Sequence, residues 1–286
     1  MSIVVPSRNA ARTLSDQLLA LSSQDLSGPW EVIVVDNGST DATAEIAARW
    51  SDRLPSLRIV TCARRGANCA RNAGVGAARA AHILLCDADD VVAPGWARLL
   101  SRALDTWDLV GGTTDTTTLN TAVVQRSRPN PVASQLRNAF GFLPYSIGAN
   151  MGLRRRVFDE IGGFDEAFLL GADEIDFCWR AQYAGFRLDF EPDAVVRYRL
   201  KSRPADAIRQ AYVFARGDAQ LYAKHRALGH LGRSPAGVQL RTAGRRVGAL
   251  ARVDRIVRPA QRLRYARSLG RGLGSAVGLA RYRVVT

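Results

Sequence analysis

The chain has 286 residues, of which 47% are hydrophobic and 23% charged, an ordinary balance for a globular protein that excludes intrinsic disorder. No run approaches the ~18 uninterrupted apolar residues of a membrane-spanning helix. The net charge of +14 is lopsided: residues 1–224 carry 26 basic against 25 acidic side chains, whereas residues 225–286 carry 14 arginines against Asp254 alone.

Ile3–Val5 is apolar and β-branched and reads as a buried strand, starting too near Met1 to leave room for a secretory signal. A helix follows over 10–21, with Leu14, Leu18 and Leu21 on one face. Val32–Val35 predicts a second strand, and residues 42–50 a second helix capped by Asp41. Residues 57–61 make a third strand, 67–79 an alanine-rich helix, and Ile83–Cys86 a fourth strand. Such alternation predicts a mostly parallel, Rossmann-like α/β sheet with right-handed crossovers and flanking helices. The pattern loosens between Gly111 and Ser146, where 113–118 and 127–131 read as surface loops. Order returns at Gly148–Met151, followed by a helix over 155–161 and the turn Gly162–Glu166. Residues 173–184 fit a helix whose first turn carries Asp173, Glu174 and Asp176, as the positive end of its dipole favours, with Gly185 as C-cap. Short strands at 187–190 and 194–198 and a helix over 205–226 complete the body. The expected organisation is a main domain over 1–224, divided near 110/111, and a helical tail over 225–286. Cys62, Cys69, Cys86 and Cys178 contain no Cys-x-x-Cys pair, so buried reduced thiols are expected rather than zinc or disulfides.

The predicted strands deliver their following residues to one edge of the sheet, the side on which open α/β sheets bind ligands. Asp87, Ala88, Asp89 and Asp90 follow the fourth strand. Two carboxylates one residue apart at such a mouth suit a hard divalent cation that bridges a diphosphate, although an acidic turn capping a strand has the same spacing. Asp36 ends a buried strand, where its carboxylate can accept a hydrogen bond from an imide N–H. Arg8 and Arg71 lie on or near the same rim, and the guanidinium fork suits diphosphate oxygens; Arg71 also fits a solvated helix face. Gly74-Val75-Gly76 lacks the third glycine of a dinucleotide fingerprint and falls inside a helical pattern.

Four segments in order, Val4-Val5-Pro6-Ser7-Arg8-Asn9, Val35-Asp36-Asn37-Gly38-Ser39-Thr40-Asp41, Ala70-Arg71-Asn72-Ala73-Gly74 and Cys86-Asp87-Ala88-Asp89-Asp90, resemble the nucleotide-sugar half of family 2 glycosyltransferases, the inverting type with a GT-A fold. Gly162-Gly163-Phe164-Asp165-Glu166 followed by Asp173-Glu174-Ile175-Asp176 and Trp179-Arg180 resembles the acceptor half of the same family, so the resemblance covers roughly residues 2–200. It implies transfer of a sugar from a nucleoside-diphosphate sugar to an acceptor hydroxyl with inversion, in cell-surface polysaccharide or glycolipid synthesis. The donor would lie on Pro6, Arg8, Asp36, Arg71 and Asp87, with Asp36 reading a uracil or thymine ring. Asp89, with Asp87, would hold Mg²⁺ or Mn²⁺, and Asp90 would support them. The family places Glu-Asp at the base position, the aspartate acting as base; here the order is Asp173-Glu174, so Glu174 falls at the base position and Asp173 is its rival. Many relatives carry a histidine near Arg197-Tyr198-Arg199 as a metal or diphosphate contact. An arginine here can instead bind the diphosphate directly.

In the tail, Leu240, Ala243, Val247, Leu250, Ala251 and Val257 recur at helical spacing beside five arginines, and Leu269, Leu273 and Val277 recur beside Arg262, Arg264, Arg267 and Arg271. Basic amphipathic helices of this kind lie in the headgroup plane of anionic membranes, so residues 240–283 are expected to hold the enzyme on the cytoplasmic membrane face, and the acceptor to be a glycan or lipid-linked. A helix packed on the body with a solvated basic face has the same pattern. A sugar nucleotidyltransferase would need a glycine-rich phosphate loop at Pro6–Asn9, which is absent. A nucleic-acid-binding protein working through the tail would need aromatic stacking platforms among the arginines, and these are lacking.

Overall fold

The computed structural model describes residues 1–54, 56–127, 132–168, 171–232 and 259–282. The strands are β1 (Ser2–Ser7), β2 (Glu31–Asp36), β3 (Arg58–Thr61), β4 (His82–Cys86), β5 (Val91–Val92), β6 (Leu109–Asp115), β7 (Val132–Ala133), β8 (Arg137–Asn138), β9 (Pro144–Tyr145), β10 (Asn150–Arg154) and β11 (Leu188–Arg197). The helices are α1 (Leu14–Ser22), α2 (Thr43–Ala48), α3 (Ala67–Ala77), α4 (Trp96–Ala103), α5 (Ala122–Gln125), α6 (Arg155–Ile161), α7 (Asp173–Tyr183), α8 (Pro204–Ala227) and α9 (Pro259–Arg281). Two compact units emerge: residues 1–119, 132–167 and 174–199 form one, and residues 120–131, 168–173 and 200–286 the other. Residue 224, where the sequence reading ends its first domain, lies inside α8.

The first unit is built on a 9-stranded sheet in the order β3-β2-β1-β4-β10-β6-β11-β5, with β7 beside β6. Strands β1 to β4 are parallel, whereas β10 enters antiparallel between β4 and β6. Ile3, Val5, Val32, Val34 and Leu84 face one layer of the core with Leu14, Leu18 and Leu21 of α1. Val4, Ile33, Val35, Ile83 and Leu85 face the other, with Ala70 and Val75 of α3 and Phe177 of α7. The period-two split of each apolar strand between two layers is what burial on both faces requires. Gly74 allows α3 to lie on the sheet, because a side-chain carbon there would overlap Val4. It is a packing glycine, not part of a phosphate loop.

Two expectations are corrected. Thr113–Asp115 belong to a buried strand, β6, not to a surface loop. Gly111 and Gly112 disguised it, yet bulk is what the site forbids: a carbon on Gly112 would fall on the Ala194 carbonyl and within 2.6 Å of the Asn150 amide. The strands expected at 187–190 and 194–198 are one, β11, with an irregularity between Glu191 and Val195.

In the second unit α8 and α9 run parallel. Gly270, Gly274 and Gly278 of α9 lie in turn against Ile208, Tyr212 and Arg216–Ala219 of α8, leaving no room for a side-chain carbon at Gly270 or Gly274. Tyr282 Oη donates to Gln220 Oε1 at 2.9 Å. Among the described residues no helix is long and apolar enough to cross a membrane. The first tail pattern, 240–257, lies outside the described residues.

Candidate active site

The chain order of the parallel strands, 3-2-1-4, reverses between β1 and β4, and such a switch point opens a crevice at the carboxyl ends of the strands. The crevice is widened here because β1 pairs with β4 only over Ser2–Val4, while it follows β2 as far as Ser7. Pro6, half-buried, and Arg8, exposed, stand on its β1 wall. Asp36 ends β2 on one side of β1, and Asp87 follows β4 on the other. Two strand spacings separate them, about 10 Å, a span suited to a nucleoside diphosphate laid across the end of β1.

The β2 side of the rim is tightly cross-linked. Asp36 Oδ1 accepts from the Ser39 N–H at 3.1 Å. Asp41, expected to cap α2, stands one residue before the N-cap Ala42; it accepts from the Thr43 N–H at 3.1 Å and from the Ala11 N–H at 3.2 Å. Asn37, buried, donates to the carbonyls of Cys62 and Arg64 and accepts from the Gly66 N–H, tying the end of β2 to the loop that opens α3. Asn9, with φ +51°, accepts from the Thr40 N–H at 2.8 Å. Asn37 was missed as a support; its position beside Asp36 was the available signal.

On the β4 side, Asp87, Asp89 and Asp90 each present a carboxylate oxygen within 4.8 Å of the others. Mg²⁺ or Mn²⁺ with oxygens at about 2.1 Å spans ligands about 4 Å apart, so an all-oxygen set at this separation fits a hard cation after a small side-chain adjustment. The turn is pinned from several sides. Gln17 of α1, buried, donates to the Asp87 carbonyl at 3.1 Å and accepts from the Val92 N–H at 3.0 Å. The sequence reading missed Gln17, although it falls on the Leu14, Leu18, Leu21 face, where a polar residue needs an internal partner. Asp90, buried, accepts the Arg199 N–H at 2.7 Å.

Arg71 is buried, which corrects the solvated-face alternative. Its Nη2 lies 3.4 Å from Asp87 Oδ1, its guanidinium 5.7 Å from the Phe164 ring, and Gly148 leaves space for it. Asn72, next in sequence, grips the Phe164 backbone through both its N–H and carbonyl and donates to Glu166 at 2.9 Å. That bond, helped by Arg64 at 2.6 Å and outweighing burial, holds the Glu166 carboxyl below its ordinary range. Thus the turn Gly162–Glu166 is strapped to α3.

Phe164 stacks on Phe177 of α7 at 4.1 Å. Buried Asp176 pairs with Arg180 at 2.8 Å, and Arg180 donates to the carbonyls of Ile161 and Gly163. Glu174, half-buried, shares its helix face with Phe177 by i,i+3 spacing, so the helix that carries it is keyed to Arg71 through two aromatic rings. Asp173, buried, closes the segment 168–173 of the second unit, whereas Glu174 opens the last segment of the first. Asp176 is therefore a structural anchor. Cysteine chemistry has no place here: burial, reinforced by Asp87 and Asp90, pushes the Cys86 thiol well up, and burial takes Cys178 to about 12.

A family model described as glycosyl transferase family 2 matches residues 2–162. Glycosyltransferase AglE of Haloferax volcanii is 27% identical over 230 residues, 78% of this chain and 74% of the relative. Among solved structures, a mannosyltransferase from Pyrobaculum calidifontis, in complex with GDP-Man and Mn²⁺, superposes with a TM-score of 0.60 at 22% identity, covering 100% of this chain and 75% of its own. TarS of S. aureus in complex with UDP gives 0.57 at 18% identity, covering 99% and 90%. The fold is of the GT-A type, and, with the family model spanning more than half of its length, the chain belongs to glycosyl transferase family 2.

Proposed function

We propose that the protein transfers a sugar, with inversion, from a uridine or thymidine diphosphate sugar to a hydroxyl of a glycan or lipid-linked acceptor, using Mg²⁺ or Mn²⁺. The observation that carries this reading is the convergence of Asp87, Asp89 and Asp90 beside buried Arg71 at the switch point. Asp89 and Asp87 would hold the ion, which when bound neutralises the departing diphosphate as a Lewis acid. Arg71 and Arg8 would face the diphosphate, and Pro6 the donor's middle. Asp36 supports a uracil or thymine ring: Ser39 holds Oδ1, leaving Oδ2 to accept from an imide N–H. The neighbours do not choose the base, since one is described with GDP-Man and the other with UDP. Glu174 is the base that takes the acceptor proton, and Asp173 its rival.

Leu273 and Val277 of α9 are exposed, at 44% and 43%, each three residues after a glycine that meets α8 and so on the flank of that contact. With exposed Arg262, Arg264, Arg271 and Arg281 on the same helix, they support docking on the anionic cytoplasmic face of a membrane. The test of the core reading is thermal stabilisation by UDP, dTDP and GDP with and without Mn²⁺, because only ligands that bind the folded state raise the midpoint. The expected result is a metal-dependent rise with UDP or dTDP; a GDP response at least as large would remove the role of Asp36.

A further inference from the structure

The antiparallel pairing of β5 with β11 sets Val196 against Val92 and Arg197 against Val91. Continued by two residues, that register brings Arg199 opposite Asp89. The structure bears this out: the Arg199 N–H donates to Asp90 Oδ1 at 2.7 Å, its Nε to the Asp89 carbonyl at 2.9 Å, and its Nη2 to Asp16 Oδ2 of α1 at 3.1 Å. One residue thus ties both acids that follow Ala88, and α1, to the end of β11. The guanidinium is committed to a backbone carbonyl and to a carboxylate outside the acidic turn, which is the posture of a support, not of a phosphate ligand.

We propose that Arg199 is a positioning residue for the divalent ion: it fixes the backbone at Asp89 so that the carboxylates of Asp87 and Asp89 converge on one cation. The inference rests on the metal reading above. Groups that orient ligands matter to affinity because a ligand that must be ordered on binding loses conformational entropy. A competing effect has the opposite sign. A cation near the site repels the metal, so deleting Arg199 removes repulsion; with Asp16 already neutralising it in a solvent-exposed setting, this gain is small.

The two effects separate in the full-length chain. Mn²⁺ binding without nucleotide is read from the electron paramagnetic resonance of the free ion, and UDP binding in EDTA by calorimetry, for the wild type, Arg199→Lys and Arg199→Met. Lysine keeps the charge but cannot hold both acceptors. Both variants are expected to bind Mn²⁺ about tenfold more weakly, as loss of a group that orients a metal ligand does elsewhere, with UDP affinity in EDTA unchanged. Tighter Mn²⁺ binding by Arg199→Met would show that Arg199 acts only as a charge, and overturn the proposal. Weaker UDP binding with Mn²⁺ affinity intact would make Arg199 a diphosphate contact, and overturn it as well. Should Arg199→Met not fold, Arg199→Lys decides alone. A wild type that takes up no Mn²⁺ defeats the metal reading itself; a wild type that binds Mn²⁺ no better than its variants defeats only this inference.

Discussion

Asp89 sits half-buried at the mouth of β4, outside both layers of the core, so its loss separates chemistry from folding. Asp89→Ala should lower turnover by about 10³-fold, since a Lewis-acid ion contributes several kcal/mol to leaving-group departure. Its thermal midpoint without ligand should match the wild type, and calorimetry should show that UDP no longer gains affinity from Mn²⁺. Undiminished activity of this variant in EDTA would remove the metal from the reaction. Glu174 and Asp173 are adjacent in α7 but point about 100° apart, so they are unequal candidates for one acceptor oxygen. Glu174→Gln keeps the shape and removes the basicity; turnover should fall by about 10²- to 10⁴-fold while donor affinity persists. Asp173→Asn should keep measurable turnover, because asparagine serves a helix start nearly as well as aspartate. The reverse ranking would mean that the transposed pair also exchanged its roles.

At the scale of elements, the residues proposed to bear chemistry stand out in the sequence because they end apolar runs. Asp36 and Asp87 stand where Val32–Val35 and Ile83–Cys86 stop, and alternation with helices put both on one rim. What the sequence hid were features set by long-range packing. β6 carries Gly111 and Gly112 because Asn150 and Ala194 crowd it from β10 and β11, and a glycine pair reads locally as a break. The antiparallel insertion of β10 depends on pairing with Cys86 and Gly111, far away in sequence. Asn37 and Asn72 support the rim through backbone bonds no spacing rule announces, and the spacing of Gln17 signals an internal partner without saying which. Glu31, which begins β2, shows the same lesson. Ser2 Oγ and the Arg79 N–H donate to Oε1, each at 2.7 Å, and Arg58 to Oε2 at 2.7 Å. Burial alone would raise its pKa, but these donors together lower it below 4.5. The carboxylate is thus favoured in the folded state; its contribution is complete above the unfolded value and is lost as pH falls through the folded one. Glu31→Gln should destabilise by about 2 kcal/mol at pH 7, as loss of hydrogen bonds to a charged group does. The gap from the wild type, measured by urea titration, should close below about pH 4. A gap that is constant down to pH 3 would mean that shape, not charge, carries the contribution.

For the whole molecule the decisive asymmetry is between a neutral body and a tail holding 14 arginines with one acid. Within α9, Gly270, Gly274 and Gly278 are occupied by α8, so this face is not available to a membrane. Beside it, Leu273 and Val277 are exposed on the flank of the glycine contact, and exposed arginines lie at both ends of the helix. Each basic side chain near an anionic leaflet contributes about 1 kcal/mol, and this part is screened by salt. Buried apolar area contributes a part that is not screened. The chain should therefore co-sediment with phosphatidylserine-containing vesicles and not with neutral ones. Raising salt should weaken, without abolishing, this binding. Leu273→Glu with Val277→Glu places two acids on the exposed stripe and leaves the glycine contacts with α8 untouched, so stability should hold while vesicle binding falls by about tenfold or more. Turnover with a soluble acceptor should be unchanged in that variant. If the doubly substituted chain sediments with anionic vesicles as well as the wild type does, α9 is a packing helix and its exposed apolar stripe does not dock on a membrane.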